Sequence, residues 1–280
     1  MRLFSAWAGE FGAGDVRLVG CDLPLHAKAS EYRAVVERMK RDRNVVGGLI
    51  TTHKIDVFES CMDMFDSVDG FAELCGEASA LSVRDGLVSA YATDPISSAR
   101  AYDDFHRSRD PADVLCLGGG GSATAITVQL LQRRLARRIT VVDVNPDRLA
   151  RIEAVHERLE HSGGLSYVEG AGSSDRLVRE LPPGSVVINA TGLGKDLPGS
   201  PLSDEAAFPE GGYAWDLNYR GDLRFLQQAR RRGDLHVEDG WRYFVHGWAA
   251  VMSRVFDVDV DAGLTERLAA IAAAERPAPG

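Results

Sequence analysis

Cysteine, positive charge and long apolar runs are all in short supply in this chain, and each shortage closes off a class of protein. The four cysteines, Cys21, Cys61, Cys75 and Cys116, form no CxxC pair and no metal-like spacing. That argues against a disulfide framework or a metal site, and it fits a reducing compartment. No apolar stretch approaches the roughly 20 residues that cross a bilayer, and the chain does not begin with a signal-peptide pattern. A cytoplasmic protein with no membrane partner is therefore expected. Lys and Arg number 32 against 41 Asp and Glu, for a formal charge of -9. Such a balance offers no general attraction to phosphate backbones, so nucleic acid is not expected as a partner. The one basic run, Arg230 to Arg232, reads as the solvated last turn of a helix, where cations complement the macrodipole.

What is present describes an ordinary globular enzyme-sized chain. The 280 residues are 45% hydrophobic and 26% charged, with 29 glycines as punctuation. That length exceeds a usual single core, so two domains are expected. An apolar run from Val16 to Cys21, helical spacing at Tyr32, Val35, Val36 and Met39, and a short run at Leu49 and Ile50 give a βαβ rhythm. A helix is expected from Ile55 to Met64. Asp85-Gly86 then separates two short runs around Leu81 and Val88 as a hairpin turn, and Pro95 opens the next helix.

Asp110-Pro111 breaks that helix, and a buried-strand run, Asp113 to Leu117, leads straight into four glycines. The expected order continues with a helix from Ser122, a strand from Ile139 to Asp143, a helix opened by Asn145-Pro146, strands at 185–190 and 213–217, and a helix from Asp222. Strand and helix alternating in this way imply right-handed crossovers and a parallel sheet. Two further helices, Trp241 to Phe256 and one from about Leu264, follow without strands between them, and Pro277 to Gly280 reads as a frayed end. The expected fold class is α/β: a Rossmann-type doubly wound parallel sheet plus a smaller α/β substrate domain completed by C-terminal helices. The expected boundaries are 1–110 for the substrate domain, 111–238 for the nucleotide domain and 239–280 for helices packing back on the first domain. Those apolar helices suit either that role or contact with a second copy, which leaves a homodimer open.

Gly118, Gly119, Gly120, Gly121, Ser122 and Ala123 lie between a strand and a helix. Their backbone can turn tightly and offer amide donors plus a helix N-terminus to a pyrophosphate. Asp143 ends the next strand, where a carboxylate can accept hydrogen bonds from ribose hydroxyls and repel a 2′-phosphate; the next residue, Val144, offers no cation. NAD is thus expected in preference to NADP. Asp143 capping the Asn145-Pro146 turn is the alternative reading. Asn189, Ala190, Thr191 and Gly192 end a further strand, at the sheet edge where ligands sit in open α/β folds; a turn satisfied by its own side chains is the alternative.

Taken together, Gly118 to Ser122, Asn189 to Gly192, and the segments around Thr51-Thr52-His53-Lys54 and Thr93-Asp94-Pro95 resemble the shikimate/quinate dehydrogenase family over nearly the whole chain. Their wording, with Asn189 to Asp196 and Asp216 to Gly221, is similar to a divergent branch of it. The resemblance implies that Lys54 and Asp94 form the catalytic pair, and that 189–192 borders the nicotinamide ribose. It further implies that Thr51, Thr52, Ser79, Tyr219, His246 and Gly247 line the substrate. A lysine beside a carboxylate suits the proton exchange that accompanies hydride transfer. The pair of serines that holds the substrate carboxylate in family members has no clear counterpart near Met1 to Ser5. Thr52, Ser79 and Gly247 occupy the places of a proline, an asparagine and a glutamine. The implied substrate is accordingly a cyclic polyol or hydroxy acid: shikimate, quinate or an analogue. A metabolite- or nucleotide-sensing regulator on the same fold is the alternative from another class, disfavoured by retention of both Lys54 and Asp94.

Overall fold

The computed structural model describes residues 2–106, 110–160, 164–195 and 197–276; the expected frayed end at 277–280 lies outside them. The described chain divides into two compact units, residues 2–97 with 245–276, and residues 98–244.

The first unit opens with α1 (Arg2–Ala8) and α2 (Ala29–Arg41). There follow β1 (Gly47–Leu49), α3 (Lys54–Cys61), β2 (Ser67–Val68), α4 (Gly70–Cys75), β3 (Ala80–Arg84) and β4 (Leu87–Tyr91). The strands form one sheet in the order β1-β3-β4-β2, with β2 and β4 parallel and the other pairs antiparallel. Asp85 and Gly86 both take positive φ, +52° and +79°, which is the conformation that matches a two-residue hairpin to the twist of its strands. Tyr32, Val36 and Met39 of α2 pack with Val57, Phe58 and Cys61 of α3 and with Leu81, Val83, Val88 and Ala90 of the sheet. The helical spacing at 32, 36 and 39 therefore marks a buried face.

One expected strand is absent. Residues 16–21 form no strand, and Val19 is 78% exposed. The run's alternation is interrupted by Arg17 and Gly20, and β1 stays an edge strand, with β3 as its one strand neighbour among the described residues.

The chain leaves this unit within α5 (Asp94–Phe105) and returns to it within α10 (Trp241–Phe256), after which α11 (Ala262–Ala273) closes the described chain. Helix α11 is capped by Asp261, whose carboxylate accepts from Leu264 N–H at 2.7 Å. It lies against α1, where the buried Trp7 donates its indole N–H to the Leu268 carbonyl at 3.1 Å.

The second unit contains β5 (Ala112–Leu117), α6 (Gly121–Gln132), β6 (Ala136–Asp143), α7 (Pro146–His156), β7 (Gly164–Glu169), α8 (Ser174–Arg179), β8 (Val186–Asn189), β9 (Tyr213–Asp216), α9 (Arg224–Arg230) and β10 (His236–Glu238). All six strands are parallel, in the order β10-β9-β8-β5-β6-β7. This is the expected doubly wound α/β sheet. Every residue of β5 is buried, as a central parallel strand covered on both faces requires. Helix α6 is buried from Ala123 to Leu131 and carries little polar surface, so it packs as an interior helix. The strand order reverses between β5 and β8, and the crevice beyond the carboxyl ends of such a pair is where open α/β sheets bind ligands.

Candidate functional site

Lys54 is the first residue of α3 and Asp94 the first of α5. The structure brings them together: Lys54 Nζ donates to Asp94 Oδ2, with the two side chains 21% and 13% exposed. Ser97 Oγ donates to the Asp94 carbonyl at 3.0 Å and steadies the start of α5. Burial alone would pull the Lys54 pKa down. The carboxylates of Asp94 and Glu77 outweigh it, and the ammonium is held above its ordinary value. Glu77 is absent from the residues that sequence reasoning selects. A glutamate between small residues in Cys75-Gly76-Glu77-Ala78 was the available signal.

The expected substrate residues of this unit are placed as follows. Thr51 and Thr52 are exposed in the turn between β1 and α3. Ser79 is 1% exposed and turned onto the backbone: its Oγ accepts from Thr93 N–H at 2.7 Å, lies 2.9 Å from Thr93 Oγ1 and donates to the Tyr91 carbonyl at 3.3 Å. That arrangement links β3 to the residue preceding Asp94, so Ser79 braces the pair from behind. His246 is buried in α10 with Gly247 beside it. Tyr219 belongs to the other unit, where its ring packs on Trp241 and Phe244.

The glycine loop sits at the strand reversal. Gly118 has φ +105°, and a Cβ there would stand 2.7 Å from the Ala190 carbonyl carbon and oxygen, so only glycine allows the two strand ends to approach. Gly119 N–H donates to Asp143 Oδ2 at 2.6 Å and Asn145 N–H to Asp143 Oδ1 at 2.8 Å. Space beyond Gly120 is open, and the first turn of α6, with Gly121, Ser122 and Ala123, leaves amide donors there. This donor set fits a dinucleotide pyrophosphate.

At the next strand end, Asn189 Oδ1 accepts from Thr191 N–H and Thr191 Oγ1, at 3.1 and 2.7 Å, and Thr191 Oγ1 accepts from Leu193 N–H. Asn189 Nδ2 donates to Asp216 Oδ1 at 3.1 Å. Ala190 and Gly192 are half-buried and Thr191 exposed, so the turn presents its backbone outward.

No family model matches the chain. It is 30% identical over 262 residues, covering 91% of this chain and 88% of the relative, to a shikimate dehydrogenase (NADP(+)) of Methanothrix thermoacetophila. It is also 30% identical over 173 residues to the enzyme of the same name from Streptococcus gordonii, there covering 60% of this chain and 58% of the relative's length. Among solved structures, shikimate 5-dehydrogenase of Thermus thermophilus in complex with NADP(H) and shikimate superposes with a TM-score of 0.69. It has 23% identity and covers 96% of this chain and 93% of that one.

These relatives overturn the expected preference for NAD over NADP, because they are named for the phosphorylated cofactor. Asp143 is 6% exposed and both its oxygens already accept from backbone amides. Arg148, in α7, reaches within 3.8 Å of Asp143, with its side chain 60% exposed. With the relatives' names, their shared length and the sheet order in agreement, the chain belongs to the shikimate dehydrogenase family.

Proposed function

We propose that this protein is a nicotinamide-dependent oxidoreductase. It interconverts the hydroxyl and keto forms of a cyclic polyhydroxy compound, a hydroxy acid of the shikimate or quinate kind or a related polyol. The observation that carries this reading is the buried contact between Lys54 and Asp94. A paired ammonium and carboxylate of this kind is what moving a proton at a carbonyl oxygen requires. Bound at the glycine loop, a nicotinamide dinucleotide supplies or takes up hydride.

The chain's own residues do the rest. Gly118 to Ala123 offer the pyrophosphate amide donors, and 189–192 stands ready beside them for the nicotinamide ribose. Arg148 is the cation for the 2′-phosphate of NADP(H), the form used by the named relatives. In the reducing direction Lys54, kept as an ammonium, gives its proton to the carbonyl oxygen as the hydroxyl forms. Asp94 orients Nζ and stabilises the charge that Lys54 carries before transfer. The first unit, residues 2–97 with 245–276, is the substrate domain, and the second is the cofactor domain.

The test is turnover on a panel of cyclic hydroxy acids and polyols with NADP(H), followed through the absorbance of the reduced nicotinamide. Lys54→Ala is expected to lower kcat by about 10²- to 10⁴-fold, the usual contribution of a positioned acid or base, while the dinucleotide Kd changes little. Undiminished turnover in that variant would remove Lys54 from the chemistry.

A further inference from the structure

The carboxyl ends of β8 and β9 are tied together by side chains. Asn189 and Asp216 end their strands directly opposite each other in the sheet register, and both are fully buried. Asn189 Nδ2 donates to Asp216 Oδ1 at 3.1 Å and to the Leu193 carbonyl at 3.3 Å, while its Oδ1 accepts from Thr191 N–H and Oγ1. Turned the other way, the amide would set its oxygen against the Leu193 carbonyl and its nitrogen against the Thr191 N–H, so the side chain has one orientation. Asp216 Oδ1 also accepts from Asn218 N–H at 3.0 Å, and Asn218 Nδ2 donates to the same Leu193 carbonyl at 2.9 Å.

The turn 190–193 is thereby held at both ends, at Asn189 through the end of β9 and at Leu193 by two side-chain amides. Its inner side is fixed as well. Ala190 N–H donates to the Leu117 carbonyl at 2.7 Å, and a Cβ on Gly118 would collide with the Ala190 carbonyl. Asp216 has no surface of its own with which to meet a ligand. What it contributes to the exterior passes through Asn189.

We infer that Asp216 is a positioning residue for the cofactor: by orienting Asn189 it sets the backbone of 190–192 for the nicotinamide half of the dinucleotide, without touching the ligand. This rests on the reading, above, of 189–192 as the border of the nicotinamide ribose. The adenosine half falls to the end of β6, where Asp143 and Arg148 stand. Strands β8 and β5 lie between β9 and β6 in the sheet, so a defect at Asp216 acts on one half of the dinucleotide and spares the other.

Asp216→Ala removes the acceptor, and Asp216→Asn puts an oxygen back in its place. Two ligands read the two halves of the site by calorimetric titration: NADP(H), and adenosine 2′,5′-bisphosphate, which carries the 2′-phosphate but no nicotinamide ribose. In Asp216→Ala the Kd for NADP(H) is expected to rise about tenfold or more, and that for the bisphosphate to stay within about twofold of the wild type. Asp216→Asn is expected to return the NADP(H) Kd toward the wild-type value. A merely structural aspartate would lower stability and weaken both ligands alike, or neither, and each of those results overturns the inference. Should Asp216→Ala fail to fold, Asp216→Val, which suits a strand and leaves less of a void, removes the same acceptor and carries the same two readouts.

Turnover keeps this role apart from the dehydrogenase reading. A loss confined to NADP(H), in a protein that turns over no compound, supports Asp216 and sinks the dehydrogenase. Wild-type turnover in Asp216→Ala with both Kd values unmoved leaves the dehydrogenase standing and removes Asp216.

Discussion

Asp216, at the end of β9, is fully buried, and its Oδ1 accepts from Asn189 Nδ2 and from Asn218 N–H at 3.1 and 3.0 Å. Its Oδ2 has no hydrogen-bond partner among the described residues. Burial pushes its pKa up to about 7, against the lowering effect of Asn218 and Asn189, and Asp239 adds to the rise. The folded protein therefore holds a proton that the unfolded chain releases near pH 3.8. Stability from this group is complete below that value, is lost as pH rises through about 7, and is level above. Asp216→Asn is expected to flatten this slope and to be more stable than the wild type by about 2 kcal/mol at about pH 8. Urea denaturation at about pH 5 and about pH 8 measures it; equal slopes in the two proteins would refute it. Neither this carboxylate nor Glu77 stands out in a string of letters, because what makes each unusual is depth. Lys54 and Asp94 were legible only as family positions, since a lysine after a strand and an Asp-Pro turn are each commonplace.

Among the elements, the hairpin at Asp85-Gly86, the buried strand β5 and the long helix α10 all follow from local pattern, and their extents agree closely with the sequence reading. Two strands of the parallel sheet escaped it: β7, with burial alternating between exposed and half-buried, and the three-residue β10. Both are edge strands, covered on fewer sides, so neither needs the continuous apolar run that announces a central parallel strand. The error at 16–21 is the opposite one: a short run broken by Arg17 and Gly20 is not ordered as a strand, although the edge strand β1 keeps an unpaired flank. The glycine loop supplies the element-scale prediction. Gly118→Ala places a methyl group 2.7 Å from the Ala190 carbonyl at a φ of +105°, conditions that cost about 2 kcal/mol. The strand ends must part to relieve the clash, so the Kd for NADP(H) is expected to rise at least about tenfold. Calorimetric titration decides, and an unchanged Kd would show that the loop tolerates the displacement.

On the scale of the whole molecule, cofactor binding should be visible as stability. A ligand at about a hundred times its Kd raises the free energy of unfolding by about 2.7 kcal/mol if it binds the folded state alone. NADP(H) is expected to do this, and Arg148→Ala to weaken the protection by NADP(H) while leaving that by NAD(H) in place. Equal loss with both dinucleotides would deny Arg148 its part with the 2′-phosphate. Both proteins can be compared by thermal unfolding at matched concentrations.

The sheet order has one more consequence, for how the chain is made. Val114 at the heart of β5 pairs with Ile139 on one side and with Val186 on the other. As the polypeptide emerges from the ribosome, the first partner arrives early and the second only after three further strands and helices have been synthesised. During that interval a strand buried at every residue in the folded protein has one open flank, available to any other nascent chain. Rapid translation through residue 189, or a chaperone holding the flank until then, would be the condition for a good yield of native protein.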